Sequence, residues 1–164
     1  MAEFGVIGLG RFGARTSMEL LDLGHHVIGV DSDEKAVEAM AEVLTHSAIA
    51  DVTDEKALQE LDLANCEVVL VAIGEDLQAS LLCVLQSIGV KEIWAKATSK
   101  SHHQILSKLG VSRIIHPEEE MGIRVAQSLN YPMVNEYMSL GHNWFCVEIS
   151  IGEYLKGKKL RDVS

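Results

Sequence analysis

Basic residues are scarce in this sequence. Fourteen lysines and arginines stand against twenty-four aspartates and glutamates, so the formal net charge at pH 7 is −10 with histidine neutral. A surface of this sign repels the phosphates of nucleic acids and of anionic lipid headgroups. The first basic cluster, Lys156-Gly157-Lys158-Lys159, lies close to the end of the sequence. We therefore expect no nucleic-acid partner.

Cysteine is also rare, and the three cysteines (Cys66, Cys83 and Cys146) form no C-x-x-C pair. An odd number of widely spaced cysteines argues against a disulfide framework or a cysteine zinc site and is typical of a reduced, cytoplasmic protein. Apolar runs such as Val68–Ile73 have the length of a strand, well short of the roughly 20 residues that span a bilayer. The N-terminus has no basic segment followed by an apolar one, so we expect no signal peptide and no direct membrane insertion.

Short apolar segments alternate with helical patterns along the first 116 residues. The segments are continuously apolar or small, as in strands that are buried on both faces of a parallel sheet. The alternation predicts an α/β fold, a Rossmann-like doubly wound domain with a six-stranded parallel sheet. Strands are predicted over Phe4–Ile7, Val27–Val30, His46–Ala50, Val68–Ala72, Ile93–Ala97 and Arg113–His116, and helices over about 12–23, 34–44, 54–61, 76–88 and 100–109. Helix caps are expected at Asp33, at Thr53 and at Ser99 or Ser101.

A different pattern begins at Pro117. A proline suits the first helical turn, and Glu118, Glu119 and Glu120 place negative charge at the positive end of the helix dipole. A further strand is predicted at about 144–151. We expect three parts: a nucleotide-binding lobe over 3–117, crossover and dimerisation helices over 118–138, and the beginning of a C-terminal lobe over 139–164. On this interpretation the sequence is a fragment with an incomplete second lobe.

The glycines of the segment Gly8–Gly13, here called the glycine loop, have G-x-G-x-x-G spacing. Gly8 permits the tight turn after the first strand, Gly10 lets the backbone approach a phosphate, and Gly13 lets the helix pack closely on the sheet. The phosphate would then bind unpaired N–H groups at the helix N-terminus. Because the loop follows an apolar strand and opens an amphipathic helix, the pattern predicts an adenine nucleotide site.

An acidic residue, Asp31, ends the second strand eighteen residues after Gly13. A carboxylate there can accept hydrogen bonds from both ribose hydroxyls and would repel a 2′-phosphate, which favours NAD, ADP or ATP over NADP. A role for Asp31 as a helix cap is the weaker alternative, because Ser32 and Asp33 already fill it.

Three further polar residues have two interpretations each. Arg11, inside the glycine loop, suits a γ-phosphate or a partner's carboxylate, or it is a solvated loop residue. Asp51, after the third strand, points toward the adenine position or forms a turn with a helix cap. Lys96, near the end of the fifth strand, contacts phosphate or is solvated.

Catalytic and metal-binding motifs are absent. Only about forty-five residues follow the sixth strand, too few for the substrate domain of a dehydrogenase. His102 and His103 are adjacent, so on a helix they diverge and cannot chelate one metal together. There is no H-E-x-x-H, G-x-S-x-G or P-loop lysine. We find no chemistry attached to the nucleotide fold and expect the protein not to be an enzyme.

Taken together, several segments resemble an RCK domain (regulator of K⁺ conductance, also called KTN or TrkA-N). They are VIGLGRFG at 6–13, VD at 30–31, ADVTDEKAL at 50–58, VAIGEDLQAS at 71–80, IWAKA at 93–97 and RIIHPEEEMG at 113–122. The sequence looks most like the cytosolic gating proteins of Ktr/Trk-type bacterial potassium uptake systems. The resemblance covers about residues 3–135, and its specificity comes from GLGRFG and HPEEEMG occurring together.

The resemblance implies roles for individual residues. Arg11 would approach the terminal phosphate, Asp31 would bind the ribose, and Glu118 would lie near the phosphates at a dimer interface and take part in binding Mg²⁺ or Ca²⁺. The bound ligand would be ATP/ADP or NAD(H). The full set of predicted nucleotide-binding residues is Gly8, Gly10, Arg11, Phe12, Gly13, Asp31, Ser32, Asp51, Val52, Ala72, Ile73, Gly74 and Lys96.

The resemblance also implies partners. Homodimers would assemble into a ring, an octameric one in this family, on the cytoplasmic face of an integral-membrane potassium-translocating subunit, and the nucleotide would set the shape of the ring. Dimerisation is expected independently from Leu81–Leu85, because five successive apolar residues cover the whole circumference of a helix. The alternative is that the chain's own C-terminal helix covers the outer face of this helix. Ile105, Leu109 and the helix over 121–129 would complete the interface. The alternative function that stays open is a small NAD-dependent oxidoreductase or a fragment of one.

Overall fold

The computed structural model describes residues 1–61, 63–74, 80, 89–130, 134–141, 144–149, 153 and 156–159. The chain divides into two compact units, Met1–His116 and Pro117–Ser164. They are called the first and the second unit below. No helix among the described residues combines the length and the apolar content that crossing a bilayer requires.

The first unit is built on one parallel sheet of six strands, in the order β3-β2-β1-β4-β5-β6. Its elements are β1 (Glu3–Ile7), α1 (Arg11–Asp22), β2 (His26–Asp31), α2 (Glu34–Met40), β3 (His46–Ile49), α3 (Glu55–Gln59), a 3-10 turn (Leu63–Asn65), β4 (Val68–Val71), β5 (Ile93–Lys96), α4 (Lys100–Lys108) and β6 (Arg113–Ile115). The predicted fold class is confirmed. The helix predicted over 76–88 lies, except for Ser80, outside the described residues.

Both faces of the sheet are buried, as the continuously apolar strands predict. One core cluster contains Ile7, Val30 and Leu106, and the other contains Val6 and Val27. Neighbouring residues of a strand point to opposite faces, so Val6 and Ile7 belong to different cores. Burial on both faces explains why these strands show no alternation of polar and apolar residues.

Local capping fixes where the helices begin. Asp33 accepts a hydrogen bond from the Lys35 N–H at 3.0 Å, and Ser99 accepts one from the His102 N–H at 3.1 Å, as predicted for both. The cap predicted at Thr53 is wrong. The carboxylate of Asp54 accepts the Lys56 N–H at the start of α3, because Thr53 is bonded to Asp51 instead.

The strand order reverses beside β1, which has β2 on one side and β4 on the other. In open parallel sheets a ligand binds outside the carboxyl ends of the strands at such a switch point. The glycine loop follows β1 there, and Ala72 follows β4. The Ala72 N–H donates to the carbonyl of Ile7 at 2.7 Å, which holds the two strand ends together.

The second unit contains α5 (Pro117–Asn130) and an antiparallel pair, β7 (Val134–Gly141) and β8 (Trp144–Ile149). The prediction of helices over 118–138 is therefore wrong for residues 134–138, which belong to β7. The helix ends before Pro132, since proline lacks the N–H that a helix interior requires. The pairing of β7 with β8 then supplies the backbone hydrogen bonds of Val134–Gly141.

Candidate nucleotide-binding site

The backbone of Gly8 has a conformation that favours glycine. Its φ angle is +95°, and a Cβ there would lie 3.1 Å from the carbonyl carbon of Ala72 and 3.2 Å from the nitrogen of Ile73. Only glycine combines this φ angle with so close an approach to the end of β4. Gly8 therefore makes the tight turn that the sequence predicts.

The other two motif glycines have different surroundings. A Cβ on Gly13 would lie 1.9 Å from the carbonyl oxygen of Gly8, so α1 packs directly on the loop. Gly10 is exposed, and a Cβ there would meet no atom of the described residues within 4 Å. Gly10 thus borders open space at the start of the helix, where a phosphate can approach the backbone.

The first turn of α1 itself contains no acidic side chain. Gly10 is the cap residue of the helix and supplies no side-chain hydrogen bond. The first intrahelical bond runs from the Ala14 N–H to the Gly10 carbonyl at 2.9 Å. The N–H groups of the first turn thus have no partner within the helix, and with the helix dipole they favour an anion. The residues present fit a nucleotide phosphate.

Asp31 lies beside the loop at the end of β2. Its Oδ2 accepts the Leu9 N–H at 2.6 Å, and its Oδ1 accepts the Asp33 N–H at 2.9 Å. The neighbouring Gly8 N–H donates to the Val30 carbonyl at 2.8 Å. The carboxylate is half-buried, with lone pairs left for further donors such as ribose hydroxyls. Ser32, the next residue, is exposed.

Lys96 lies at the carboxyl end of β5 and extends toward the glycine loop. Its ammonium is 5.9 Å from the centre of the Phe12 ring, and it would be 3.3 Å from a Cβ on Gly74. The structure therefore brings Lys96 together with residues after β1 and β4. Arg11, the first residue of α1, is exposed.

Asp51 forms a local turn after β3. Its Oδ1 accepts the N–H of Thr53 at 2.9 Å and its hydroxyl at 2.6 Å. The Thr53 hydroxyl and then its N–H lower the pKa of the Asp51 carboxyl from its ordinary value, against a small opposing effect of burial. Asp31 ends β2 and Asp51 follows the neighbouring strand β3; the Ala50 N–H donates to the Asp31 carbonyl at 3.0 Å. Val52 packs in the core and offers only its backbone to a ligand.

Glu118 is exposed in the first turn of α5, in the second unit. The described residues contain no group of three or more histidine, cysteine, aspartate or glutamate side chains that could hold a metal ion. Glu118 as a cation ligand stays a prediction.

Sequence reasoning missed a buried histidine, His102, in α4. His102 is only 1% exposed. Its Nδ1 accepts the Thr98 N–H at 3.4 Å, and its Nε2 lies 3.3 Å from the Ser80 hydroxyl. Burial, and then the charge of His116, lower the pKa of His102. The spacing with Leu106, four residues on and also buried, is the signal that marks His102 as core-facing.

The adjacent histidine points the other way, as predicted. The Nδ1 of His103 lies 2.9 Å from the Nε2 of His116. The ring planes differ by 22° and their centres are 5.1 Å apart. Because the ring centres are far apart while the two nitrogens are within hydrogen-bond distance, the rings are joined edge to edge by a hydrogen bond rather than stacked face to face.

A cavity of about 310 Å³ opens at the opposite, amino-terminal end of the strands, with Glu3, His46 and Glu60 among its lining residues. It contains none of the predicted nucleotide-binding residues. The glycine geometry, not the volume of this cavity, places the candidate site at the carboxyl ends of β1, β2 and β4.

Comparison with known proteins agrees with this fold. The family model of the TrkA-N domain matches residues 4–117. Ktr system potassium uptake protein A of Bacillus subtilis is 42% identical over 99% of this chain and 74% of that protein. Its namesake from Vibrio alginolyticus is 39% identical over the same shares.

Among solved structures, the TrkA-N domain of the inner membrane protein YbaL from Escherichia coli has the same fold, with a TM-score of 0.69. It is 16% identical, over 79% of this chain and 97% of that chain. The family that the GLGRFG and HPEEEMG motifs predict is confirmed. With a matching domain over 114 residues and relatives at about 40% identity over almost its whole length, the chain belongs to the TrkA-N family, among homologues of the Ktr potassium uptake proteins.

Proposed function

We propose that this protein is a regulatory, nucleotide-binding subunit that gates potassium transport through a separate membrane protein. The observation that carries the proposal is the N-terminus of α1, whose cap residue Gly10 supplies no side-chain acceptor, next to the Asp31 carboxylate. Family membership supplies the context, since the curated relatives are named as potassium uptake proteins.

The ligand class follows from the charges around the loop. The first turn of α1 favours phosphate, and Arg11 and Lys96 add positive charge beside it. Asp31 would hold the ribose hydroxyls and repel a 2′-phosphate. We propose ATP, ADP or NAD(H) as the ligand, with the adenine near Asp51 and the backbone of Val52, and with Ala72, Ile73 and Gly74 along the β4 side.

The residues of this site suit a regulatory ligand-binding site better than a catalytic site. The groups that surround the loop are backbone N–H groups, cations and a carboxylate that already accepts two backbone hydrogen bonds. Such groups bind and discriminate ligands. A ligand shifts a conformational equilibrium only by its differential affinity for two states, and a γ-phosphate read by Arg11 would supply that difference between ATP and ADP.

The proposed assembly is a cytoplasmic ring of homodimers on a potassium-translocating membrane subunit. Along α5, Met121, Val125 and Leu129 recur at four-residue spacing and are 55%, 50% and 77% exposed. An apolar stripe of this length on a helix is typical of a protein interface. We propose a second copy of the chain as its partner.

The other residues predicted for this interface are less informative. Leu81–Leu85 lies outside the described residues. Ile105 is 39% exposed, and Leu109 packs on the core of the first unit.

Glu118 is the proposed protein ligand for Mg²⁺ or Ca²⁺, both of which prefer oxygen donors. Calorimetry of ATP binding with and without each cation, on wild type and Glu118→Gln, tests this role. A cation-dependent gain in ATP affinity that disappears in Glu118→Gln supports it. If the cation leaves the affinity of the wild type unchanged, Glu118 only stabilises the helix dipole.

The ligand that purifies with the protein tests the proposed function against the oxidoreductase alternative. Mass spectrometry of the extracted ligand should identify ATP or ADP, or NAD(H) that is recovered in the same redox state after incubation with cell extract. Net oxidation or reduction of bound NAD(H) coupled to a small organic substrate would contradict the regulatory proposal.

A further inference from the structure

Asp31 forms a hydrogen bond to the glycine loop that binding a ribose would not require. The carboxylate joins the end of β2 to the middle of the glycine loop through Leu9, whose N–H donates at 2.6 Å. Leu9 stands between Gly8 and Gly10, and its side chain is 4% exposed in the core. Two successive N–H groups of the loop are thus held by β2, since Gly8 donates to the Val30 carbonyl.

We infer that Asp31 is a positioning residue for the phosphate-binding backbone as well as a predicted ribose ligand. The inference rests on the proposed function and assigns a second role to the same site. The peptide held by Asp31 comes just before Gly10, the cap residue of α1. Its orientation therefore sets the direction of the N–H groups that would meet a phosphate.

Removal of the carboxylate would leave the Leu9 N–H without an acceptor in a partly buried position. A buried donor without a partner is costly, so the peptide would turn toward water and displace the start of α1. Ribose recognition and phosphate recognition would then be lost together. This coupling distinguishes the inference from a role in ribose binding alone.

Asp31→Asn is the informative variant because it keeps the side-chain volume. The single carbonyl oxygen of an asparagine can accept the N–H of Asp33 or that of Leu9, but its NH₂ group cannot accept the other. An asparagine suits the local turn with Asp33, so the bond to Leu9 is the one expected to break.

The test compares the affinities of ADP and adenosine by calorimetry in wild type and Asp31→Asn. Adenosine has the ribose without the diphosphate. We expect the affinity for adenosine to fall about tenfold and the affinity for ADP about a hundredfold. Each lost charge-assisted hydrogen bond lowers the affinity about tenfold or more. Equal losses for the two ligands would overturn the inference. Asp54→Asn is the matched control, because Asp54 is an exposed acceptor of the Lys56 N–H and is not among the predicted nucleotide-binding residues, so this variant should leave the ratio of the two affinities unchanged.

A second measurement is independent of any ligand and of the affinity of the variant. The amide proton of Leu9 should resonate downfield in the ¹H–¹⁵N spectrum of the wild type and move upfield in Asp31→Asn. An unchanged Leu9 resonance would overturn the inference even if ADP binding were weakened. If the wild type binds none of ATP, ADP and NAD(H), the proposed function fails, and the Leu9 resonance still decides whether Asp31 holds the loop.

Discussion

The carbonyl oxygen of Gly8 occupies the position that a side chain on Gly13 would need, with only 1.9 Å between that oxygen and the ideal Cβ. The obstacle is backbone, so it cannot rotate away as a flexible side chain would. The close packing of α1 against the glycine loop therefore depends on glycine at position 13. At Gly10, three residues earlier, an added Cβ would meet no atom of the described residues within 4 Å.

Gly13→Ala should lower the free energy of unfolding by about 1–3 kcal/mol or more, because an overpacked Cβ must displace the loop. Gly10→Ala is the matched control. Its φ angle of −63° suits alanine, so its stability loss should stay below about 1 kcal/mol, the cost of a poorer helix cap. Urea unfolding measures both. A Gly13→Ala variant as stable as wild type would contradict the close approach of α1 to the Gly8 carbonyl.

Arg11→Ala should weaken the binding of ATP more than the binding of ADP. The difference should be about 1.5–3 kcal/mol, the value of the lost charge-assisted hydrogen bond. Arg15, one turn along the same helix, is the control because it is exposed and forms an ion pair with Glu19 at 3.0 Å. Arg15→Ala should leave both affinities within error. Calorimetry with both nucleotides gives the comparison, and an equal loss of ATP and ADP in Arg11→Ala would show that Arg11 does not bind the γ-phosphate.

Much of this architecture could be predicted from the sequence because its causes are local. Strands buried on both faces must be apolar throughout, and the glycine spacing reflects the φ angle of Gly8 and the packing of Gly13. The errors arose where several local choices were possible. Asp51, Thr53 and Asp54 are all of residue types that can cap a helix, and the geometry of the turn decides which of them caps α3. The strand at Val134–Gly141 depends on pairing with β8, which no local pattern reports.

Leu129→Asp should weaken self-association of the protein. The residue is 77% exposed on the apolar stripe of α5, and burial of a carboxylate at an interface is unfavourable. Val43→Asp is the control, because Val43 is an exposed apolar residue of the first unit and is not part of α5. Light scattering should give a dimer or larger for wild type and for Val43→Asp, and a smaller species for Leu129→Asp. A clean 18.0 kDa wild-type monomer at micromolar concentration would contradict the proposed interface.

His102 should make the stability of the protein depend on pH. Burial, and then the charge of His116, lower its pKa below the ordinary value of 6.5, so the unfolded chain binds the proton more readily than the fold does. The free energy of unfolding should therefore fall as the pH drops below about 6.5, by at most about 1.4 kcal/mol per pH unit from this residue.

His102→Gln should show a shallower decrease over the same pH range, because the group that titrates is gone. His46→Gln is the control, since His46 is exposed, and it should keep the slope of the wild type. Urea unfolding at pH 7, 6 and 5 measures all three proteins. A slope that is identical in wild type and His102→Gln would show that protonation of His102 is not coupled to folding.

Nucleotide-controlled potassium transport is the central claim, and rubidium flux tests it most directly. Lipid vesicles that contain a potassium-translocating membrane subunit of the Ktr type would be mixed with this protein and saturated with ATP or with ADP. The account predicts different initial rates of ⁸⁶Rb⁺ uptake with the two nucleotides, and equal rates when Gly10→Ala replaces the wild type. Equal rates with ATP, with ADP and without nucleotide for the wild-type protein, once it is shown to be bound to the vesicles, would contradict it.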